Sequence, residues 1–332
     1  MKKQVLALLL DAGGKYRSGE EMSAALGVSR AAVWKAVAAL REAGYAISSA
    51  PNRGYRLDAT PDTLDPAAIS ALLPTGCVVG SNLVCLSTVD STNNECRRLA
   101  AGGAPDGTAV LAETQTGGKG RGGRSFASPP GGLYLSILLR PDIAPGEAVN
   151  MTAWVAVAVC RAVEAACGVS CAIKWTNDII LNGKKLCGIL TEMGMVGETG
   201  GLDYVVTGMG INLHASLTQS SPELASKAVS LEEVLGAPPR RDALIAALLS
   251  ALDDLRRGFP HASAEYLEEY RRRCATVGNE VAVLRSGQEP RTGIAVGIDD
   301  RFRLLVDFSS SGGGTEAIEA GEVSVRGLLG YV

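Results

Sequence analysis

Apolar positions recur at helical spacing in three short segments over the first 45 residues. The run Val5–Leu10 predicts a helix over residues 2–11. Ser18-Gly-Glu-Glu21 then has the form of a capping box, a serine N-cap with glutamate three residues on, and the helix it opens ends at Gly27. Ser29 caps a third helix, in which Val33, Val37 and Leu40 share one face, and which stops near Gly44. Two short helices joined by a tight glycine-containing turn make a helix-turn-helix. Tyr45–Ser48 and Gly54–Leu57 read as strands around the turn Pro51-Asn-Arg-Gly54, which adds a wing.

Residues 58–66 are rich in acids and turn-formers and read as a linker. Beyond them the period is mixed. Val110–Ala112 and Leu133–Leu139 are apolar runs expected as buried strands, while Val155, Val159, Ala162 and Ala166 mark a helix over Met151–Cys167. Further strands are expected at Ile179–Leu181, Cys187–Leu190 and Tyr204–Thr207, and helices at 241–256 and 262–273. Strands gathered around a few helices point to α+β. From Gly278 the runs Val281–Leu284, Gly293–Gly297, Phe302–Val306 and Val323–Arg326 are short strands of a small β-barrel, with Ser309–Gly314 as a hairpin tip. The expected division is three domains, residues 1–60, 61–277 and 278–332.

Charge separates these parts. Residues 1–60 carry a balance of +4 and the remainder −7, within a net charge of −3. A basic head on an acidic body suggests two different partners, and the head suits nucleic acid. Ser29, Arg30, Trp34 and Lys35 lie off the apolar stripe of the third helix, where they can reach bases and phosphates. Arg53 on the wing can touch the DNA backbone. The apolar run near the start is six residues long, short of a secretory core or a membrane span, so a cytoplasmic protein without a membrane partner is expected. Eight cysteines without a C-x-x-C pair read as buried free thiols. With two histidines, no H-E-x-x-H and no G-x-S-x-G, zinc-hydrolase and Ser-His-Asp chemistry are poor candidates.

The sharpest local feature is Gly117-Gly-Lys-Gly-Arg-Gly-Gly-Arg124, three cations among five glycines. Such a loop can bring backbone N–H groups and positive charge to an anion. It is not a nucleotide P-loop: Arg124 stands where that motif needs lysine, and Pro129-Pro-Gly-Gly132 forbids the helix that should follow. Lys174-Trp-Thr-Asn-Asp178 precedes Asn182-Gly183, a hairpin signal that could return Lys185 beside Asn177 and Asp178. Asp90-Ser-Thr-Asn93 and Thr207-Gly-Met-Gly-Ile-Asn212 place small polar groups and glycines at strand ends.

Taken in order, Asp90-Ser-Thr-Asn93, Ala112-Glu-Thr-Gln115, Gly118-Lys-Gly-Arg-Gly122, Leu133-Tyr-Leu-Ser136, Lys174-Trp-Thr-Asn-Asp178, Lys185–Glu192 and Gly210-Ile-Asn212 resemble the biotin–protein ligases. With a winged helix in front and a barrel behind, the chain resembles the bifunctional ligases that also repress the biotin operon. Thr176 stands where that family usually has proline, and Lys119 where arginine is common. The resemblance implies a mixed α/β ligase domain of class II synthetase type and an SH3-like C-terminal barrel. It implies that biotin and ATP give biotinyl-5′-AMP, and that biotin then passes to a lysine of the biotin carboxyl carrier protein of acetyl-CoA carboxylase. Magnesium would be held mainly by the ATP phosphates. The implied catalytic residues are Arg121, Lys185, Lys119 and Asp178. Ser91, Thr92, Asn93, Gln115 and Gly120 would join Lys119, Arg121 and Lys185 in holding biotin. Arg124, Trp175, Asn177 and Asn212 would join Arg121 and Lys185 in holding the nucleotide. Operator DNA would bind a homodimer with the adenylate as corepressor. Two other readings are a ligand sensor without catalysis and a lipoate-type ligase, the latter told apart by the acid it activates.

Overall fold

A computed structural model describes residues 1–61, 64–197, 200–218, 221–285, 288–309 and 312–320, and the backbone of 323–327. These residues fall into two compact units, 1–75 with 241–246, and 76–240 with 247–332.

In the first unit, α1 (Lys2–Asp11), α2 (Gly19–Leu26) and α3 (Arg30–Glu42) precede an antiparallel ribbon of β1 (Ala46–Ala50) and β2 (Gly54–Ala59). The capping box forms: Glu21 N–H donates to Ser18 Oγ at 3.0 Å, and Ser18 N–H donates to Glu21 Oε2 at 3.1 Å. Gly27 ends α2 with a left-handed φ of 64°, open to glycine because it lacks Cβ. Val33, Val37 and Leu40 are buried with Val5, Leu6, Leu9 and Met22, so the stripe read from the sequence is the face that packs. In the wing turn, a Cβ on Gly54 would lie 2.1 Å from the Arg17 carbonyl oxygen, so only glycine fits.

The expected linker is largely structure. β2 runs on to Ala59, and α4 (Pro66–Leu72) begins where the linker was expected to end. Asp65 Oδ1 accepts from Ala67 N–H at 2.8 Å and Asp65 Oδ2 from the Tyr45 hydroxyl at 2.7 Å, while Ala68 joins the head's core. The acid and proline that looked like linker chemistry are an N-cap and a first helical residue. Residues 62 and 63 lie outside the described residues.

The second unit is built on β3 (Leu83–Val89), β4 (Thr108–Gln115), β5 (Gly132–Leu139), β6 (Ala172–Lys174), β7 (Asp178–Leu181), β8 (Lys184–Met195) and β9 (Leu202–Asn212). They make one sheet in the order β3-β4-β5-β9-β8-β7-β6, antiparallel except for the β3–β4 pair. β5 is buried at every position, Ser136 included, as its largely apolar run requires of a strand covered on both faces. Cys96 and Ala100 of α5 (Thr92–Ala101) pack on Val110, Leu138 and Val206 of the sheet. α6 (Met151–Cys167) lies against β7 and β8. The window Ala148–Cys167 is long and apolar enough to cross a membrane by length and composition, but 67% of it is buried in the fold, as a core helix is.

Three short helices follow, α7 (Ala215–Thr218), α8 (Pro222–Lys227) and α9 (Leu231–Leu235), none of them expected from the sequence. α10 (Arg241–Gly258) and α11 (Ser263–Arg273) come next. Trp154 of α6 stacks on Tyr266 of α11 with centroids 3.9 Å apart and meets Phe259 edge-on at 4.9 Å. At the C-terminal end, β10 (Glu280–Arg285), β11 (Arg291–Ile298), β12 (Leu304–Asp307), β13 (Thr315–Ile318) and β14 (Val323–Gly327) form an antiparallel sheet in the order β13-β12-β11-β10-β14. Within the expected hairpin tip, residues 310 and 311 lie outside the described residues.

Candidate functional site

A cleft of about 920 Å³ opens on the large sheet, within the size of small-molecule sites. The turn from β3 into α5 supplies Ser91, Thr92 and Asn93, all buried, and the end of β4 supplies Gln115. The glycine loop brings Lys119, Gly120, Arg121 and Arg124 to the same cleft. Trp175, Asn177, Asp178 and Lys185 reach it from the β6–β7–β8 meander. These groups are up to 94 residues apart in sequence, and the sheet gathers them.

The cations are oriented. Asn182 and Gly183, with φ of 51° and 73°, form the predicted tight hairpin, and Lys185 Nζ donates to Asp178 Oδ1 at 2.7 Å across it. Arg121 Nη1 donates to Asn177 Oδ1 at 2.9 Å, and Asn177 Nδ2 donates to the Ile189 carbonyl at 3.0 Å. Burial lowers the pKa of the Arg121 guanidinium and nearby Asp178 opposes that shift, so the charge sits partly out of water, where an anion is welcome. Lys119 Nζ is held by Asn94 Oδ1 at 2.7 Å.

Gly117 N–H donates to the Asp90 carbonyl and Gly120 N–H to the Arg124 carbonyl, each at 2.7 Å. Those two amides close the loop and so are not available to an anion. Asn212 does not line the cleft: its amide donates to the carbonyls of Lys185 and Val229 at 3.2 Å, which pins the backbone under the lysine. The Trp175 indole N–H donates to the Phe302 carbonyl at 3.0 Å, leaving only its ring surface for a ligand.

A polar wall lies opposite. Thr92 N–H donates to Gln115 Oε1 at 2.8 Å, and Gln115 Nε2 donates to Ser128 Oγ at 2.8 Å. Glycines make the room. A Cβ on Gly208 would come within 2.1 Å of Asn93 Oδ1, and one on Gly210 within 2.5 Å of the Phe126 ring. Among the described residues no three His, Cys, Asp or Glu side chains could together hold a metal ion. Asp178 is the one carboxylate among the lining residues, which fits a magnesium ion carried on nucleotide phosphates rather than in a protein cage.

On the head, Trp34 is 59% exposed, and Arg30 and Lys35 are exposed beside it on α3. Ser29 Oγ accepts from Ala32 N–H at 3.2 Å, so its hydroxyl already caps the helix. On the wing, the Arg53 guanidinium lies 4.5 Å from the centre of the Tyr16 ring, with Arg56 at 4.9 Å.

The biotin/lipoate A/B protein ligase family matches residues 86–212, and a helix-turn-helix domain family matches residues 2–56. The bifunctional ligase/repressor BirA of Bacillus subtilis is 35% identical over 309 residues, 92% of this chain and 94% of that protein. The bifunctional ligase/repressor BirA of Escherichia coli is 30% identical over 97% of this chain and 96% of its own length. The chain belongs to the bifunctional biotin ligase/repressor family. The Aquifex aeolicus biotin protein ligase, solved with biotin and ATP, superposes with a TM-score of 0.62 at 29% identity, covering 74% of this chain and 99% of that one.

The motifs name residues that this one cleft gathers, but they miss others in it and behind it. Ser136, Ser128, Phe126 and Glu192 were not read as functional. One signal was available for Ser136, a lone hydroxyl inside an apolar strand, since a buried polar group needs a partner. Glu192 had none, because its partner Asn93 is 99 residues away in sequence.

Proposed function

We infer that this chain is an ATP-dependent biotin protein ligase and a DNA-binding repressor. A biotin carboxylate oxygen attacks the α-phosphorus of ATP, the bond to the β-phosphate oxygen breaks, and biotinyl-5′-AMP and pyrophosphate form. An acceptor lysine amine on a biotin carboxyl carrier domain then attacks the acyl carbonyl and AMP leaves. Both steps bring negative charge together or build it up, so positioning and fixed cations must lower the barrier.

The carrying observation is that one cleft gathers Arg121 and Lys185 with Thr92, Asn93 and Gln115. Arg121 and Lys119 cover the biotin carboxylate and the α-phosphate. Lys185 reaches the same oxygens and later polarises the acyl carbonyl. The wall reads the ureido ring, a planar donor–acceptor group, and Ser91 and Gly120 help close that end. Arg124, Asn177 and the Trp175 ring face the nucleotide. Asp178 holds Lys185 Nζ in place and is the protein's one carboxylate toward magnesium.

The head binds operator DNA through Arg30, Trp34, Lys35 and Arg53, as a homodimer reading two half-sites, with biotinyl-5′-AMP raising its affinity. The work is cytoplasmic, where ATP and the carrier are found. The deciding assay offers the protein ATP with either biotin or lipoate and follows acyl-adenylate formation and carrier labelling. Biotinyl-adenylate and biotinylated carrier are expected. Activation of lipoate alone would replace this reading, and no adenylate at all would leave a sensor.

A further inference from the structure

Two hydroxyl protons are shared along the polar wall, and counting them fixes the direction of each bond. Ser136 Oγ lies 2.6 Å from Asn93 Oδ1 and 2.7 Å from Thr92 Oγ1, with one proton for both. The Thr92 hydroxyl lies between Ser136 and Gln115 Oε1, the latter at 3.1 Å. Which partner takes which proton depends on the way the Asn93 amide faces. That amide is set from behind. Glu192 Oε2 accepts from Asn93 Nδ2 at 2.8 Å, and the Leu190 carbonyl accepts from it at 3.3 Å. A carboxylate can only accept, so Asn93 must turn its NH₂ toward Glu192 and its carbonyl toward Ser136.

The rest follows in sequence. Ser136 gives its proton to Asn93, because two acceptors cannot sit 2.6 Å apart without one. With the Ser136 proton spent on Asn93, the single Thr92 proton serves the shorter of its two contacts, the 2.7 Å one to Ser136 rather than the 3.1 Å one to Gln115 Oε1. Gln115 Oε1 is left with the Thr92 N–H alone, and the Thr92 oxygen receives nothing from the wall. Both atoms belong to residues that line the cleft, and both are now acceptors. Glu192 and Ser136 are not among the lining residues; Glu192 sits behind the wall with Arg97 3.6 Å from its other oxygen.

We propose that Glu192 is a positioning residue that fixes the Asn93 amide and so gives the Thr92–Gln115 wall its acceptor character, matched to the ring N–H donors of a cyclic urea. The proposal rests on the reading of this cleft as the biotin site. Glu192→Gln keeps size and shape but can donate as well as accept, so the shorter of the two bonds that hold the Asn93 amide no longer dictates its direction, and only the Leu190 carbonyl at 3.3 Å still opposes its turning over. With the amide reversed, Ser136 gives its proton to Thr92 and Thr92 gives its proton to Gln115, which occupies the lone pairs meant for the ligand.

Calorimetric titration of the full chain with biotin and with an N-methylated biotin, which lacks one ring N–H, tests this alongside steady-state kinetics. Biotin affinity is expected to fall about ten-fold in Glu192→Gln, the loss of one hydrogen bond's worth of binding. KM for ATP, and kcat at saturating biotin, should stay within two-fold. Methylation should cost less affinity in the variant than in the parent, because a coupling of this kind shows as non-additivity. Glu192→Asp, still acceptor-only, should lose less than Glu192→Gln. Equal methylation penalties, unchanged biotin affinity, a matching loss for ATP, or Asp worse than Gln would overturn the role of Glu192. A parent protein that binds no biotin would instead overturn the reading of the cleft.

Discussion

Arg121 stands at the centre of the glycine loop with its guanidinium partly desolvated, so its removal should be felt by the bound anion more than by the fold. Charge-assisted hydrogen bonds contribute roughly 1.5–3 kcal/mol each, and Arg121→Ala should therefore release biotinyl-adenylate about 10- to 100-fold faster. An unchanged dissociation rate, measured by chasing labelled adenylate, would remove Arg121 from this role. Lys185→Ala should nearly abolish adenylate synthesis, and Lys185→Arg should not restore it. A planar fork cannot replace a compact ammonium 2.7 Å from Asp178. Normal single-turnover synthesis by the alanine variant would make Lys185 structural. The thiols give a third expectation at this scale. Burial pushes Cys96 and Cys171 up to about 12 and Cys160 well above the usual thiol range, so almost no thiolate forms there near neutrality. Alkylation of the native chain at pH 8 should spare all three, with peptide mapping as the readout; modification as fast as in the unfolded chain would contradict it. The residues that carry charge were legible in the sequence because their motifs are local. That the Asn212 amide turns to two backbone carbonyls instead of lining the cleft was not legible, because a motif says which residues matter, not which way an amide points.

Among the elements, those with a clear period were legible almost to the residue. α6 spans the predicted Met151–Cys167, since eleven of its side chains are buried and the pattern is dense. α4 was lost because Asp65 and Pro66 look alike as linker and as helix start, and β13 because Thr315-Glu-Ala-Ile318 has little apolar signal of its own. The packing of α6 on α11 also carries a charge network that no period reveals. Burial would raise the Glu269 carboxyl, but hydrogen bonds from Arg161 and Arg273, both at 2.8 Å, outweigh it and hold the pKa below its usual 4.5. A carboxylate lowered on folding contributes stability above its unfolded pKa, and that contribution fades as pH falls through the folded value. Glu269→Gln should cost about 2 kcal/mol near neutrality, or roughly 4–8 °C in melting temperature. Its melting temperature should also fall less steeply than the parent's on acidification below pH 4.5. Parallel curves for the two proteins would mean that the network contributes nothing.

At the scale of the whole molecule, charge and exposure assign the DNA face to the head. Arg30 and Lys35 lie exposed on α3, while the remainder of the sequence is net acidic. Replacing both by alanine should weaken operator binding and lower the slope of log affinity against log salt by about two. Adenylate synthesis should be unchanged in the same variant. A full salt slope in a binding titration would move the DNA contact elsewhere. The sequence told the head from the body by its helical spacing and its charge, before any packing was known. It could not show that α4 belongs to the head's core, because that depends on Ala68 meeting side chains some sixty residues earlier.

One feature near Lys185 also carries a clock. The Val229 N–H donates to the Lys185 carbonyl at 3.0 Å, and Lys184 Nζ reaches the Ala225 carbonyl at 2.7 Å, so residues 225–229 are fastened to the edge of β8. Each time that fastening lets go, the Val229 amide meets solvent, and where exchange outpaces reclosing its deuterium uptake counts those events. Ser226 and Lys227 line the cleft, so in that limit the uptake rate of this single amide caps how often a ligand could leave past them.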